Sequence, residues 1–197
     1  MKTDPTRWIA ATCLALIVAE AVLVLTSWIL SVTMVEGVHS LLSSEGIRWF
    51  FGNFTHMMAS PALVWLLLML SALGTFQKSG LVAMRRESYR DRLALRFAIL
   101  FLLAYVIAIL MLTLMPHAVL LSATGSLVPS PFTRSLVPLI AFGIIIVAVA
   151  FGLFSGRLRN LSDILEALSF GIQKEASLVV LYIFFMQFYE SLRFVFL

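Results

Sequence analysis

"IAATCLALIVAEAVLVLTSWILSVTM", residues Ile9 to Met34, holds a single charged side chain, Glu20, in an otherwise apolar run. A helix needs about 20 apolar residues to cross a hydrocarbon core about 30 Å thick. This run is longer than that, so its helix has length to spare for tilting or protruding. Four further runs of the same kind follow: His56 to Phe76, Phe97 to Met115, Leu136 to Phe154, and Ala176 to Leu197. The last is interrupted by Gln187, Glu190 and Arg193. The pattern predicts an all-α integral membrane protein, one transmembrane domain over residues 1–197 with about five transmembrane helices.

Composition agrees. The 197 residues are 61% hydrophobic and only 12% charged, about half the charged fraction of a soluble domain. Such a chain lacks the polar residues to cover its own surface, so the lipid bilayer is its solvent. The net charge of +4 does not point to nucleic acid, because the basic residues lie between the apolar runs, as in the cytoplasmic loops of membrane proteins. Cys13 is the one cysteine and lies inside a span, which excludes an internal disulfide. The first run follows Lys2 and Arg7 but is too long for a signal peptide, so it reads as a retained span.

The basic residues also set an orientation. Lys78, Arg85, Arg86, Arg90, Arg92 and Arg96 lie between the second and third spans, and Arg157, Arg159 and Lys174 between the fourth and fifth. The alternate connections hold only Arg48 and Arg134. With Lys2 and Arg7 ahead of the first span, the bias predicts a cytoplasmic N-terminus and a C-terminus on the opposite side. In the second basic connection, "NLSDILEALSFGIQ" repeats apolar residues at Leu161, Ile164, Leu165, Leu168 and Ile172. That is helical spacing, with Asn160 or Ser162 as a cap, and predicts an amphipathic interfacial helix on the cytoplasmic side or the start of a longer fifth helix. Leu41 to Gly46 faintly echoes Leu120 to Gly125, but six residues of such simple composition do not establish a repeat.

Glu20 is the first candidate for chemistry. A carboxylate at mid-span costs on the order of 3 kcal/mol on insertion scales, so it turns inward. There it serves either as a proton or sodium site, or as a packing contact with a hydroxyl or amide. Glu190 and Arg193, three apart on the last helix, could pair on one face, but so near the C-terminus interfacial solvation is the simpler account. His56 stands at the outer edge of the second span. With His39 and His117 it has no partner at metal-ligand spacing, so no metal is expected. Pro61, Pro129, Pro131 and Pro138 fall at or just inside span ends, where proline is a helix-start signal. Asn53-Phe54-Thr55 and Asn160-Leu161-Ser162 match the glycosylation sequon, a common chance occurrence. No nucleophile–base set, Gly-rich phosphate loop or metal quartet is present, so neither an enzyme nor a cofactor is expected.

Ser40 to Val82, "SLLSSEGIRWFFGNFTHMMASPALVWLLLMLSALGTFQKSGLV", reads as an outer loop followed by a span. It resembles a stretch of the AbgT family, the aminobenzoyl-glutamate transporters. The resemblance rests on Ser40 to Ser43, Glu45-Gly46, Arg48-Trp49, Asn53-Phe54 and Ser79-Gly80-Leu81. "GSLVPSPFTRSLVPLIAFG" (125–143) is similar to a later block of the same family, and "FGLFSGRLRN" (151–160) and "LVVLYIFFMQF" (178–188) follow in its order. The resemblance implies a shortened member that keeps scaffold helices but lacks the re-entrant hairpin regions. It also implies a bacterial inner membrane location and assembly as a homodimer or with other membrane-protein subunits. Asn53 falls on a matched position and joins Glu20, His56, Glu190 and Arg193 as a substrate- or ion-binding candidate.

Two functions fit. One is a reduced ion-coupled transporter of a small anionic solute, of the aminobenzoyl-glutamate kind. The other is a non-transporting scaffold subunit of a larger membrane complex.

Overall fold

A computed structural model describes residues 5–33, 37–82, 89–114 and 131–197. They form seven helices: α1 (Pro5–Val32), α2 (Ser44–Met58), α3 (Pro61–Ser79), α4 (Tyr89–Leu114), α5 (Pro131–Ser155), α6 (Leu161–Lys174) and α7 (Ala176–Phe196). No strand occurs among the described residues. Among the described residues five stretches are long and apolar enough to cross a membrane: Thr6–Val32, Ser44–Ser79, Tyr89–Thr113, Ser135–Ser155 and Ala176–Phe196. The fold is that of an all-α, multi-pass membrane protein, as the apolar runs predict. Its outward surface explains the composition, since Leu14, Val18, Val22 and Leu25 of α1 and Ile99, Leu100 and Leu103 of α4 are all exposed. Helices apolar on every side belong in lipid.

The second span departs from expectation. The stretch from Ser44 to Phe51, read above as part of an outer loop, is the first half of α2. The Ser43 hydroxyl accepts from the Gly46 amide at 3.0 Å, and Glu45 adds negative charge in the first turn, so the polar phrase is a helix N-terminus. The helix stops at Ala59, and Pro61 opens α3 at a position where no amide hydrogen is needed. The Ser60 hydroxyl bridges the break by accepting from the Ala62 amide at 3.2 Å. The ends expected at Met34 and Met115 lie outside the described residues, as do His117 and the echo at 120–125.

The chain divides into two compact units. In the first, residues 1–64 and 176–197, α7 packs on α1 and α2. Leu23, Leu41 and Val195 are buried together, and Trp49 stacks on Phe194 with ring centroids 4.3 Å apart. Two backbone amides here have defined partners: the Leu41 amide donates to the Ser27 hydroxyl at 3.3 Å, and the His39 amide to the Val195 carbonyl at 3.1 Å. The Ser60 and Tyr182 hydroxyls meet at 2.6 Å.

In the second unit, residues 65–175, α4 and α5 run antiparallel over a seam of Ala94, Ala98, Ala150 and Phe151. Small residues let helix backbones approach closely, which is how helices associate where lipid is as apolar as leucine. The α3–α6 crossing takes this furthest. A Cβ on Gly74 would collide with the Gly171 backbone, and one on Gly171 with the Leu70 carbonyl. Ser71 and Thr75 donate across that crossing to the Leu168 and Ala167 carbonyls, at 2.9 and 3.4 Å. The α5–α6 turn passes through Gly156, whose φ of 76° favours glycine. Beyond it, the Arg157 guanidinium donates to the Ser79 and Gly80 carbonyls, pairs with Asp91 at 3.2 Å, and lies over the Phe151 ring. The predicted interfacial helix is α6, with Asn160 at its cap position and Leu161 and Leu165 exposed.

Candidate functional site

Glu20 lies near the midpoint of α1 and meets two residues of α7, Gln187 near its middle and Ser191 one turn further on. The fully buried Ser191 hydroxyl donates to Glu20 Oε1 at 2.6 Å. Gln187 Nε2 reaches the same oxygen at 3.5 Å and the Ser191 hydroxyl at 3.3 Å. Gln187 and Ser191 stand four apart and so share one helix face. Of the two alternatives weighed for Glu20, the contact with a hydroxyl and an amide is present. It is incomplete, however. Glu20 Oε2 and Gln187 Oε1 are both buried without a hydrogen-bond donor. A buried acceptor left unpaired costs about 1–3 kcal/mol, more when charged, so a donor at either oxygen would stabilise the cluster.

Those groups border a cavity of about 520 Å³ in the first unit. Leu16, Ile17, Glu20 and Val24 line it from α1, Ile47, Phe50, Phe51 and Phe54 from α2, and Ile183, Phe184 and Gln187 from α7, with Leu41 between. Glu20 and Gln187 are its polar groups. A second cavity, of about 580 Å³, lies in the second unit between α4 and α5. Tyr105 is its one polar lining residue, and the Tyr105 hydroxyl is committed to the Leu139 carbonyl at 2.8 Å.

Of the five candidates named from sequence, Glu20 is the one that lines either of these two cavities. Asn53 and His56 are exposed on α2 and are not among the lining residues. Glu190 and Arg193 face each other at 4.0 Å on the last turns of α7, the pairing their spacing predicts. Arg193 is exposed while Glu190 is about four-fifths covered, and at 4.0 Å the pair is a loose one that adds little. No group of three or more potential metal ligands occurs among the described residues. Sequence reading missed Gln187 and Ser191 as partners. The available signal was their four-residue spacing inside a span that otherwise carries few polar side chains.

The sequence matches the AbgT transporter family over residues 85–194, more than half of the chain. The chain belongs to the AbgT transporter family. Comparison with curated proteins and with solved structures returned no match. In this AbgT member the matched region takes in α4, α5, α6 and most of α7, including Gln187 and Ser191. The blocks at 125–143, 151–160 and 178–188 that carry the resemblance fall inside it, while the phrase at 40–82 and Glu20 precede it. The family is one of transporters, not of enzymes, and with five apolar spans it makes this chain a transporter-related multi-pass membrane protein.

Proposed function

We propose that the protein takes part in proton-coupled movement of a small solute across a bacterial inner membrane, with Glu20 as the group that gains and loses the proton. One observation carries this reading: a mid-span carboxyl with its Oε2 atom buried, unpartnered and beside an open cavity. A proton on that carboxyl adds the missing donor and removes the charge that lipid disfavours. Ser191 and Gln187 hold the other oxygen, so the carboxyl keeps its place as its proton comes and goes. The excess of basic residues beside the α3–α4 and α5–α6 connections supports a cytoplasmic N-terminus. Assembly as a homodimer, which the family resemblance implies, belongs to the same proposal, because five spans rarely enclose a path alone. The anionic solute that the resemblance also implies would need donors that this cavity does not offer.

The test reconstitutes the full chain in vesicles with a trapped pH-sensitive dye and adds apolar-bodied amines and carboxylates in turn. Solute-driven proton movement is expected in the wild type and its loss in Glu20→Gln. Equal movement in both would overturn the assignment of Glu20.

A further inference from the structure

The turn between α5 and α6 gathers guanidinium groups at the level where two spans end. The span of α4 starts at Tyr89 and that of α5 stops at Ser155, and as the two run antiparallel, Arg90 meets Gly156. The Arg90 guanidinium lies where a Cβ on Gly156 would stand, and Arg159 Nε donates to the Gly156 carbonyl at 3.1 Å. Arg157, between them, is committed to Asp91 and to the Ser79 and Gly80 carbonyls. The other acid of this turn is Asp163, which accepts from the Arg159 and Asn160 amides. Three guanidiniums thus stand beside two carboxylates, and Arg90 forms no ion pair among the described residues. An apolar shelf continues from this cluster into the span. Phe97 is seven residues on from Arg90, hence on the same face of α4, and stacks on Phe154 with ring centroids 4.2 Å apart. Phe101, one turn deeper, lies 6.3 Å from the Phe154 ring. Phe101 and Phe154 both remain nearly half exposed.

We infer that this turn holds the head group of an anionic phospholipid, its phosphodiester between Arg90 and Arg159 and one acyl chain running down over Phe154 and Phe101. The single negative charge of a phosphodiester matches the positive charge left over at the turn. Guanidinium forks suit phosphate oxygens, and such hydrogen bonds are charge-assisted. Basic pockets between membrane helices on the cytoplasmic side take anionic head groups in this way, and this turn lies on the side proposed above as cytoplasmic. The shelf argues for a lipid over a soluble anion. A free phosphate would use the arginines and leave the rings bare, whereas a lipid covers both, with its head at the interface and its tail in the hydrocarbon. Gly156 keeps the place open, because a side chain there would displace the Arg90 guanidinium. Arg92 and Arg96 are exposed too, but the 3.6-residue repeat turns them to the other side of α4. They supply the same charge without the shelf. None of this depends on the protonation of Glu20.

The experiment uses three probes: phosphatidylglycerol, phosphatidylcholine with the same acyl chains, and glycerophosphoglycerol, the anionic head without tails. Native mass spectrometry of the full chain, released from a neutral detergent, counts what stays bound, and melting curves in that detergent rank the affinities. One phosphatidylglycerol per chain is expected to be retained and to raise the melting temperature. Phosphatidylcholine and the tail-free head should each bind at least about tenfold more weakly. Arg90→Gln combined with Arg159→Gln should bring phosphatidylglycerol down to the level of phosphatidylcholine. Arg92→Gln combined with Arg96→Gln removes the same charge and should leave retention unchanged. Arg90→Lys keeps the charge without the planar fork and should bind with intermediate strength, a graded response that a folding defect would not give. Unchanged retention in the Arg90 and Arg159 double variant, or an equal loss in the Arg92 and Arg96 pair, would overturn the site. Glycerophosphoglycerol binding as tightly as phosphatidylglycerol would make it a site for a soluble anion and overturn the lipid assignment.

Discussion

The two cavities are nearly equal in volume, about 520 and 580 Å³, and both are walled by aliphatic and aromatic side chains, yet their polar groups behave in opposite ways. In the second unit, the Tyr105 hydroxyl has its carbonyl partner and nothing is left over. In the first, a carboxyl oxygen and an amide oxygen are buried with no donor. Size and apolarity therefore do not distinguish a site from a packing gap that an acyl chain can fill. On the proposed reading the difference is the carboxyl oxygen buried without a donor, because a donor that reached it would offset that cost.

The sharpest way to break this contrast is to remove one polar group from each cavity. Glu20→Gln keeps an acceptor for Ser191 and nearly the same volume, so the melting temperature in detergent should move little. Proton-linked flux should fall by at least about tenfold, the loss of more than 1.4 kcal/mol of coupling. Tyr105→Phe deletes one neutral hydrogen bond, worth about 1 kcal/mol, and should lower the melting temperature slightly with flux unchanged. A flux defect in Tyr105→Phe equal to that in Glu20→Gln would erase the distinction.

A second contrast concerns glycines that look alike in sequence. Gly171→Ala puts a Cβ into the Leu70 carbonyl at the α3–α6 crossing. Neither backbone has a flexible end to yield, so about 1–3 kcal/mol or more of stability should be lost. Gly52→Ala on α2 meets open space within 4 Å and replaces the poorer helix former, so it should be neutral or stabilising by about 0.5–1 kcal/mol. Melting curves of the two variants side by side decide the point. Equal destabilisation would mean that the α3–α6 crossing is looser than drawn.

These contrasts mark how far the sequence could be read. The spans were legible because a bilayer demands about 20 apolar residues in a row, and a demand that blunt survives every tertiary detail. Glu20 was legible for the same reason, as the single charge in its run. Its partners were not: Ser191 lies 171 residues further on, and no local periodicity links residues that meet only when α1 and α7 pack. The α2 helix was misread at its start because Ser43, Ser44, Glu45 and Gly46 look like a loop. The same serine and glutamate are what a helix N-terminus uses, and Ile47, Phe50, Phe51 and Phe54 already carried the helical spacing. The Gly74–Gly171 contact was hidden for another reason: a glycine gives no sign of whether it serves a turn or a close crossing.

Asp163 supplies the smallest effect and the cleanest control, since its carboxylate is the reverse of Glu20, exposed and well supplied with donors. The backbone amides of Arg159 and Asn160 donate to Asp163 Oδ2 at 2.8 and 3.0 Å. The first of these bonds, then the second, holds the carboxyl below its ordinary value of 3.8 in the folded protein. A group whose value is depressed by folding stabilises fully above its unfolded value and loses that contribution as pH falls through its folded value. Protection of the Arg159 and Asn160 amides from hydrogen exchange should therefore be constant from neutral pH down to the aspartate range and decline only below it. Asp163→Asn should show a flat profile over the same window. A decline beginning well above that range in the wild type would mean that some other group, not the Asp163 cap, governs the start of α6.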